Sequence, residues 1–193
     1  MDPKQERALL KRAASEPKAL QALYDHYFPR VYAYTSYRVG RAQDVEDIVA
    51  DAFLTVVDKL DTFQWRGKGS FAAWLFRIVR NRVSDFYRRG RGSEAVVPLE
   101  DLPDLASGAL SPADAFAQKE RFAHLRRLIE TLSPRRREVV LLRFFGGLRN
   151  KEIAELLALD ERTVASHLCR GLKDLHRRYM DEVKREVHDE QAV

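Results

Sequence analysis

The sequence has a single cysteine, Cys169, in 193 residues, so it holds no internal disulfide framework and suits a reducing compartment. It also lacks long apolar runs. Met1 to Arg12 has no stretch suited to a signal peptide, and no window approaches the ~18 apolar residues of a membrane span. A soluble, cytoplasmic protein with no direct membrane insertion is expected. Sustained period-two alternation is missing, which argues against a sheet. Metal chemistry has little to work with. His26, His124, His176 and His188 are scattered, and His167 and Cys169 lie two apart, where helix geometry points them in different directions. The run Gly67-Lys68-Gly69-Ser70 resembles the end of a phosphate-binding loop, but Gly69 breaks the required Gly-Lys-Ser/Thr order and no strand precedes it. No catalytic site, metal, cofactor or small-molecule substrate is expected, and the protein is read as not an enzyme.

What the sequence does contain is charge, unevenly placed. The net charge of +5 suits a polyanionic partner without choosing among DNA, RNA and a membrane surface. From Gln64 to Gly92 there are eight Lys/Arg and one acid, Asp85, whereas Ser93 to Glu120 has six acids and one base, Lys119. From Arg121 to Tyr179 bases again outnumber acids, fourteen to seven. The acidic middle carries Pro98, Pro103, Gly108 and Pro112 and no apolar period, so it reads as a linker, residues 91–113, between domains at 1–90 and 114–193. Both flanks are helical by pattern. Leu20, Leu23, Tyr24 and Tyr27 keep helical spacing, and Pro29 is expected to break or restart that helix. Further helices are predicted over Ala42–Leu60, over Phe71–Arg89 with Ser70 as N-cap, over Asp114–Thr131, and from Ser133-Pro134 up to Gly146-Gly147. Helices over Asn150–Leu157 and Glu161 to about Val183 complete an all-α fold of two small domains on a flexible acidic linker.

The sharpest motif is NKEIAELLALDERTVASHLCRGL, Asn150 to Leu172, a short helix, a tight turn and a longer helix. Ala154 is small where the two helices must cross, and Ile153, Leu157, Leu159, Val164 and Leu168 supply a core. Glu161, Arg162, Thr163, Ser166 and Arg170 are assigned to a helix that fits the major groove, with Ala165 and Cys169 also outward. Arg162 and Arg170 suit either guanine or phosphate. Ala158 stands where such turns usually carry glycine, which disfavours a positive φ and leaves room for a slightly different turn.

The stretch LSPRRREVVLLRFFGGLRNKEIAELLALDERTVASHLCRGLKDL resembles region 4 of the sigma-70 family and also the DNA-binding domain of LuxR-type regulators. The first domain separates them. DVEDIVADAFLTVVDKLDTF (Asp44–Phe63) resembles region 2.2 of the extracytoplasmic-function group, and SFAAWLFRIVRNRVSDFYRR (Ser70–Arg89) resembles its regions 2.3 and 2.4. The linker segment LSPADAF (Leu110–Phe116) fits the same group. A LuxR-type regulator with a helical input domain is the alternative. With few residues after the region 4 match, no further C-terminal sensing domain is expected.

The residues support the same reading independently. Asp44, Asp47, Asp51 and Asp58 fall at offsets of 0, 3, 7 and 14 on one helix, a stripe of like charge opposite the apolar face. Such a stripe complements a basic partner helix, and the resemblance implies docking on the β′ clamp helices of core RNA polymerase. On the next helix Arg77, Arg80, Asn81, Ser84 and Arg88 form a basic face suited to a phosphate backbone, with Asn81 able to bond a base edge. The loop FQWRGKGS (Phe63–Ser70) combines Trp65, Arg66 and Lys68 with flexible glycines, a mixture suited to single-stranded DNA. Trp65 serves base stacking or loop packing, and Trp74 is assigned to the core. The resemblance implies that this loop and helix capture the −10 element, that the region 4 helix reads the −35 element, and that the β flap of polymerase is a second contact. It also implies an anti-sigma factor as a candidate partner.

Overall fold

The computed structural model describes residues 1–90, 101 and 111–190, and among these it contains α-helices, 3-10 structure and no strand. The chain opens with α1 (Pro3–Arg12), a helix not anticipated from the sequence. Asp2 caps it by accepting from the Lys4 and Gln5 amides at 3.0 and 3.4 Å, with Pro3 at the first position. Glu6 ties it down from a buried position, where it accepts the Tyr27 hydroxyl.

α2 (Pro17–Val39) runs unbroken through Pro29, against the expected break. Pro29 and Asp25 are both exposed, so the carbonyl that loses its amide donor lies on the wet side of the helix. α3 (Ala42–Lys59) buries Val45, Ile48, Val49, Ala52 and Val56, packing on α2 and on the helix that follows, and ends in the 3-10 turn Leu60–Thr62. α4 (Ser70–Arg88) is capped by Gly69 at φ +82° and not by Ser70. The Ser70 hydroxyl sits inside the first turn and closes the preceding loop instead, donating to the Gly67 carbonyl (2.8 Å) and accepting from the Arg66 amide (3.2 Å).

Most of the expected linker, residues 91–100 and 102–110, lies outside the described residues. Its final part is helical, because Ser111 accepts from the Asp114 amide (3.2 Å) and Pro112 opens α5 (Pro112–Glu130). α6 (Pro134–Phe144) starts at the predicted Ser-Pro pair, but Ser133 makes no side-chain cap bond there, so Pro134 at the first position supplies the start signal. α7 (Asn150–Leu157) and α8 (Glu161–Glu190) follow, the latter running several residues beyond the predicted end.

The halves pack on one another through α4 against α7 and α2 against α6, and one apolar core runs through both. Between the halves Tyr37 lies 4.6 Å from Phe122 and 4.0 Å from Phe145, and within the first half Tyr34 meets Phe76 edge-on at 5.5 Å. Phe76, Val79 and Val83 are buried on the flank of α4 beyond its predicted inner face. Each fully buried side chain of this kind contributes about 1.5–3 kcal/mol.

Candidate nucleic-acid interface

The α3 stripe is present as a surface. Asp47, Asp51 and Asp58 are exposed and Asp44 is half-buried. Leu54, three residues after Asp51 and four before Asp58, is 63% exposed among them, and Val57 is 49% exposed alongside. These two edge an apolar groove of about 520 Å³ between α2 and α3, with Leu20, Tyr24 and Phe53 in its wall. The sequence reading missed this apolar component, although its signal is visible: Leu54 and Val57 are out of phase with the buried face of their own helix. An exposed apolar strip flanked by carboxylates suits an amphipathic basic helix.

On α4, Arg77, Asn81, Ser84 and Arg88 share an exposed face. Arg88 is largely exposed and pairs with Asp85 at 2.8 Å, a surface contact that leaves it available. The loop before α4 turns through Gly67 at φ +115° and Gly69 at φ +82°, presenting Arg66 and Lys68 outward with Trp65 half-buried. Trp74 stacks into an aromatic cluster with Phe63 (5.1 Å) and Phe71 (5.6 Å), the packing role expected of it. Arg80 stands apart from its predicted partners. It lies under α7, with Nε 2.9 Å from the Glu138 carboxylate and Nη1 donating to the Leu156 carbonyl at 3.3 Å.

The loop and α7 enclose a cleft of about 760 Å³. Arg66, Lys68 and Arg77 line one side, and Arg149, Lys151 and Glu152 line the other. Glu152 caps α7 by accepting from the Arg149 amide at 2.8 Å. Its carboxylate occupies the space where a Cβ on Gly69 would stand.

The helix-turn-helix is built as predicted around Ile153 and Val164, both fully buried, with Ala154 and Leu157 beside them. Its turn is not altered by the missing glycine. Ala158 itself takes the left-handed conformation, φ +53° and ψ +49°, and the Leu159 amide reaches back to the Ala154 carbonyl at 2.9 Å. Asp160 starts α8, accepting from the Thr163 amide at 2.8 Å, and the Thr163 bonds hold its carboxyl below the usual range. Thr163 is half-buried and spends its hydroxyl on this cap, whereas Glu161, Arg162, Ser166 and Arg170 are exposed on the outer face. The predicted residues thus form separate patches on α3, on α4 with its loop, and on α8.

Glu138 was missed altogether. It is buried in α6, yet pairs with Arg38 at 3.1 Å and Arg80 at 2.9 Å and accepts the Tyr34 hydroxyl at 2.8 Å. Burial first, then the Glu138 charge, pushes the Tyr34 phenol well above its ordinary value, so it remains a donor at neutral pH. The available signal was an acid in phase with Leu141 and Leu142, on the inner face of an otherwise basic helix start.

Comparison with known proteins assigns both halves. A family model for Sigma-70 region 2 matches residues 23–92, and one for Sigma-70, region 4 matches residues 123–175. The ECF RNA polymerase sigma factor BldN of Streptomyces coelicolor is 33% identical over 91% of this chain, which spans 66% of that relative's length. Two solved structures share the fold. CnrH, in complex with the cytosolic domain of CnrY, aligns at TM-score 0.70 and 23% identity over 92% of this chain and 98% of its own. RpoE of Bartonella quintana, in complex with the anti-sigma factor NepR, aligns at TM-score 0.59 and 23% identity over 83% of this chain and 96% of its own.

Proposed function

Because the chain belongs to the sigma-70 family, in its extracytoplasmic-function group, we propose that it binds core RNA polymerase and directs promoter-specific, DNA-templated transcription initiation. The observation that carries this reading is that one chain exposes an acidic-and-apolar face on α3 together with Arg77, Asn81 and Arg88 on α4 and Arg162, Ser166 and Arg170 on α8. A LuxR-type regulator needs the helix-turn-helix alone and has no use for a match to region 2 over residues 23–92.

The division of labour carries the roles implied by the family resemblance onto these surfaces. Asp44, Asp47, Asp51 and Asp58, with Leu54 between them, dock on the β′ clamp helices, and the region 4 half meets the β flap. Arg66, Lys68, Arg77, Arg80 and Arg88 hold −10 phosphates, Asn81 and Ser84 meet base edges, and Trp65 stacks on an unpaired base. Arg162, Ser166 and Arg170 read the −35 element, with Glu161 and the capped Thr163 at the start of the same helix. The chain supplies specificity and polymerase performs the phosphoryl transfer, in the cytoplasm where polymerase works. RpoE of Bartonella quintana is held by an anti-sigma factor, and we extend that class of partner to this chain.

The test is assembly. Mixed with core polymerase and resolved by size, the chain is expected to co-elute in a one-to-one complex. Failure to bind core, together with dimeric binding to a duplex operator, would replace this reading with the regulator.

A further inference from the structure

We propose that the cleft between the loop before α4 and α7 is a binding site for a linear oligophosphate, free or carried as the tail of a nucleotide. The inference goes beyond the proposed function, which uses only one wall of this cleft and gives Arg149 and Lys151 no part. Arg66, Lys68 and Arg77 stand on the first wall and Arg149 and Lys151 on the second, so the lining holds five bases against the two acids Glu152 and Glu155. Its volume, about 760 Å³, lies in the range of small-molecule sites, roughly 300–1,000 Å³.

Most of this positive charge is left uncompensated. Glu152 is committed to the α7 cap and to Arg149, which also donates to the Lys68 carbonyl at 2.9 Å. Arg66, Lys68, Arg77 and Lys151 are exposed, and among the described residues none of them is in an ion pair. Elsewhere several cations find acidic partners, as Arg12 does in Glu16 and Arg136 in Asp174. Like charges gathered on concave walls reinforce one another's potential, and a polyanion entering between them replaces repulsion with attraction.

The walls select the chemistry of the ligand. A single phosphate is small against a cleft of this volume and meets one wall, whereas a chain of phosphates places charge on both. The loop itself admits close approach. At Gly67, φ +115°, nothing lies within 4 Å of the position a Cβ would take, so phosphate oxygens meet bare backbone. The Ser70 hydroxyl is spent inside the loop, on the Gly67 carbonyl at 2.8 Å, so the cations hold the anion and a serine-bound metal ion does not. Half-buried Phe63 and Trp74 line the same cleft and give an attached base an aromatic surface to lie against.

The experiment is isothermal titration calorimetry on the full free chain, at low salt and without magnesium. The probes are tripolyphosphate, orthophosphate, GTP, ATP and a short oligo(dT). Tripolyphosphate is expected to bind one-to-one and at least about tenfold tighter than orthophosphate. Arg77→Gln and Lys151→Gln, one from each wall, should each weaken it by at least about fivefold, whereas Lys184→Gln, an exposed cation toward the C-terminal end of α8, should not. Circular dichroism checks the helicity of each variant, and if one wall's variant misfolds the other carries the test. GTP or ATP binding tighter than tripolyphosphate supports a nucleotide tail, and nucleotides binding no tighter support the inorganic chain. Orthophosphate binding as well as tripolyphosphate, or Lys184→Gln weakening it as much as Lys151→Gln, would show attraction by net charge alone and overturn the site. Oligo(dT) binding that depends on Lys151, with no binding of tripolyphosphate, would also overturn it and give the cleft to a nucleic-acid strand.

Discussion

Ala158 offers a perturbation whose sign is set by one backbone angle. It is the non-glycine residue with positive φ among the described residues, at φ +53° and ψ +49°, and its side chain is exposed. An L-residue in this region costs about 1–2 kcal/mol from contact between Cβ and the backbone. Replacing it by glycine removes that cost, loses no packing, and adds roughly 0.5–1 kcal/mol of chain entropy to be frozen on folding. Ala158→Gly should therefore stabilise by about 0.5–1 kcal/mol and raise the melting midpoint by roughly 1–4 °C for a chain of this size. Ala158→Val should lower it, because a β-branched side chain is worse still in this region. Circular dichroism melts and urea titrations check both, with an unchanged m-value showing that the effect is on stability. A lower midpoint for Ala158→Gly would refute the left-handed turn between α7 and α8.

The other surfaces give equally direct expectations. Asp47→Lys with Asp51→Lys should leave helicity and melting nearly unchanged while weakening core polymerase binding by at least about tenfold, through lost complementarity and new repulsion; unaffected binding would make the stripe an ordinary wet face. Arg77→Ala should weaken holoenzyme binding across promoter sequences and lower the salt slope by about one, whereas Asn81→Ala should relax preference at one −10 base; filter-binding titrations over a salt series separate these outcomes. Arg162→Ala should cost roughly 1–3 kcal/mol at one −35 position with −10 selectivity intact, measured with a library randomised at both elements; unchanged −35 preferences would pass the reading role to Ser166 or Arg170.

Helix identity was legible wherever one face is apolar and the other wet. α3 and α7 match prediction almost to the residue, because Val45, Ile48 and Val49 in one and Ile153 and Leu157 in the other announce their inner faces. The exposed sides were legible too, since Arg162, Ser166 and Arg170 or Arg77, Asn81 and Ser84 share a face by spacing alone. What local pattern could not express was contact between the halves. Arg80 reads as one more cation on a basic face until Glu138, fifty-eight positions later, is brought against it. Proline rules erred in the same way at Pro29, where continuation depends on which side of α2 faces water. At Ala158 the tertiary demand of the helix crossing overrode residue preference, leaving a strained turn where the sequence suggested a different one.

The central claim is promoter-specific initiation, and run-off transcription tests it most directly. Core polymerase is assayed on a promoter library with and without the chain. The account predicts transcripts that depend on the chain, start at defined positions, and select templates carrying both a −35 and a −10 element. Equal transcription with and without the chain, alongside tight duplex binding by the chain alone, would contradict it.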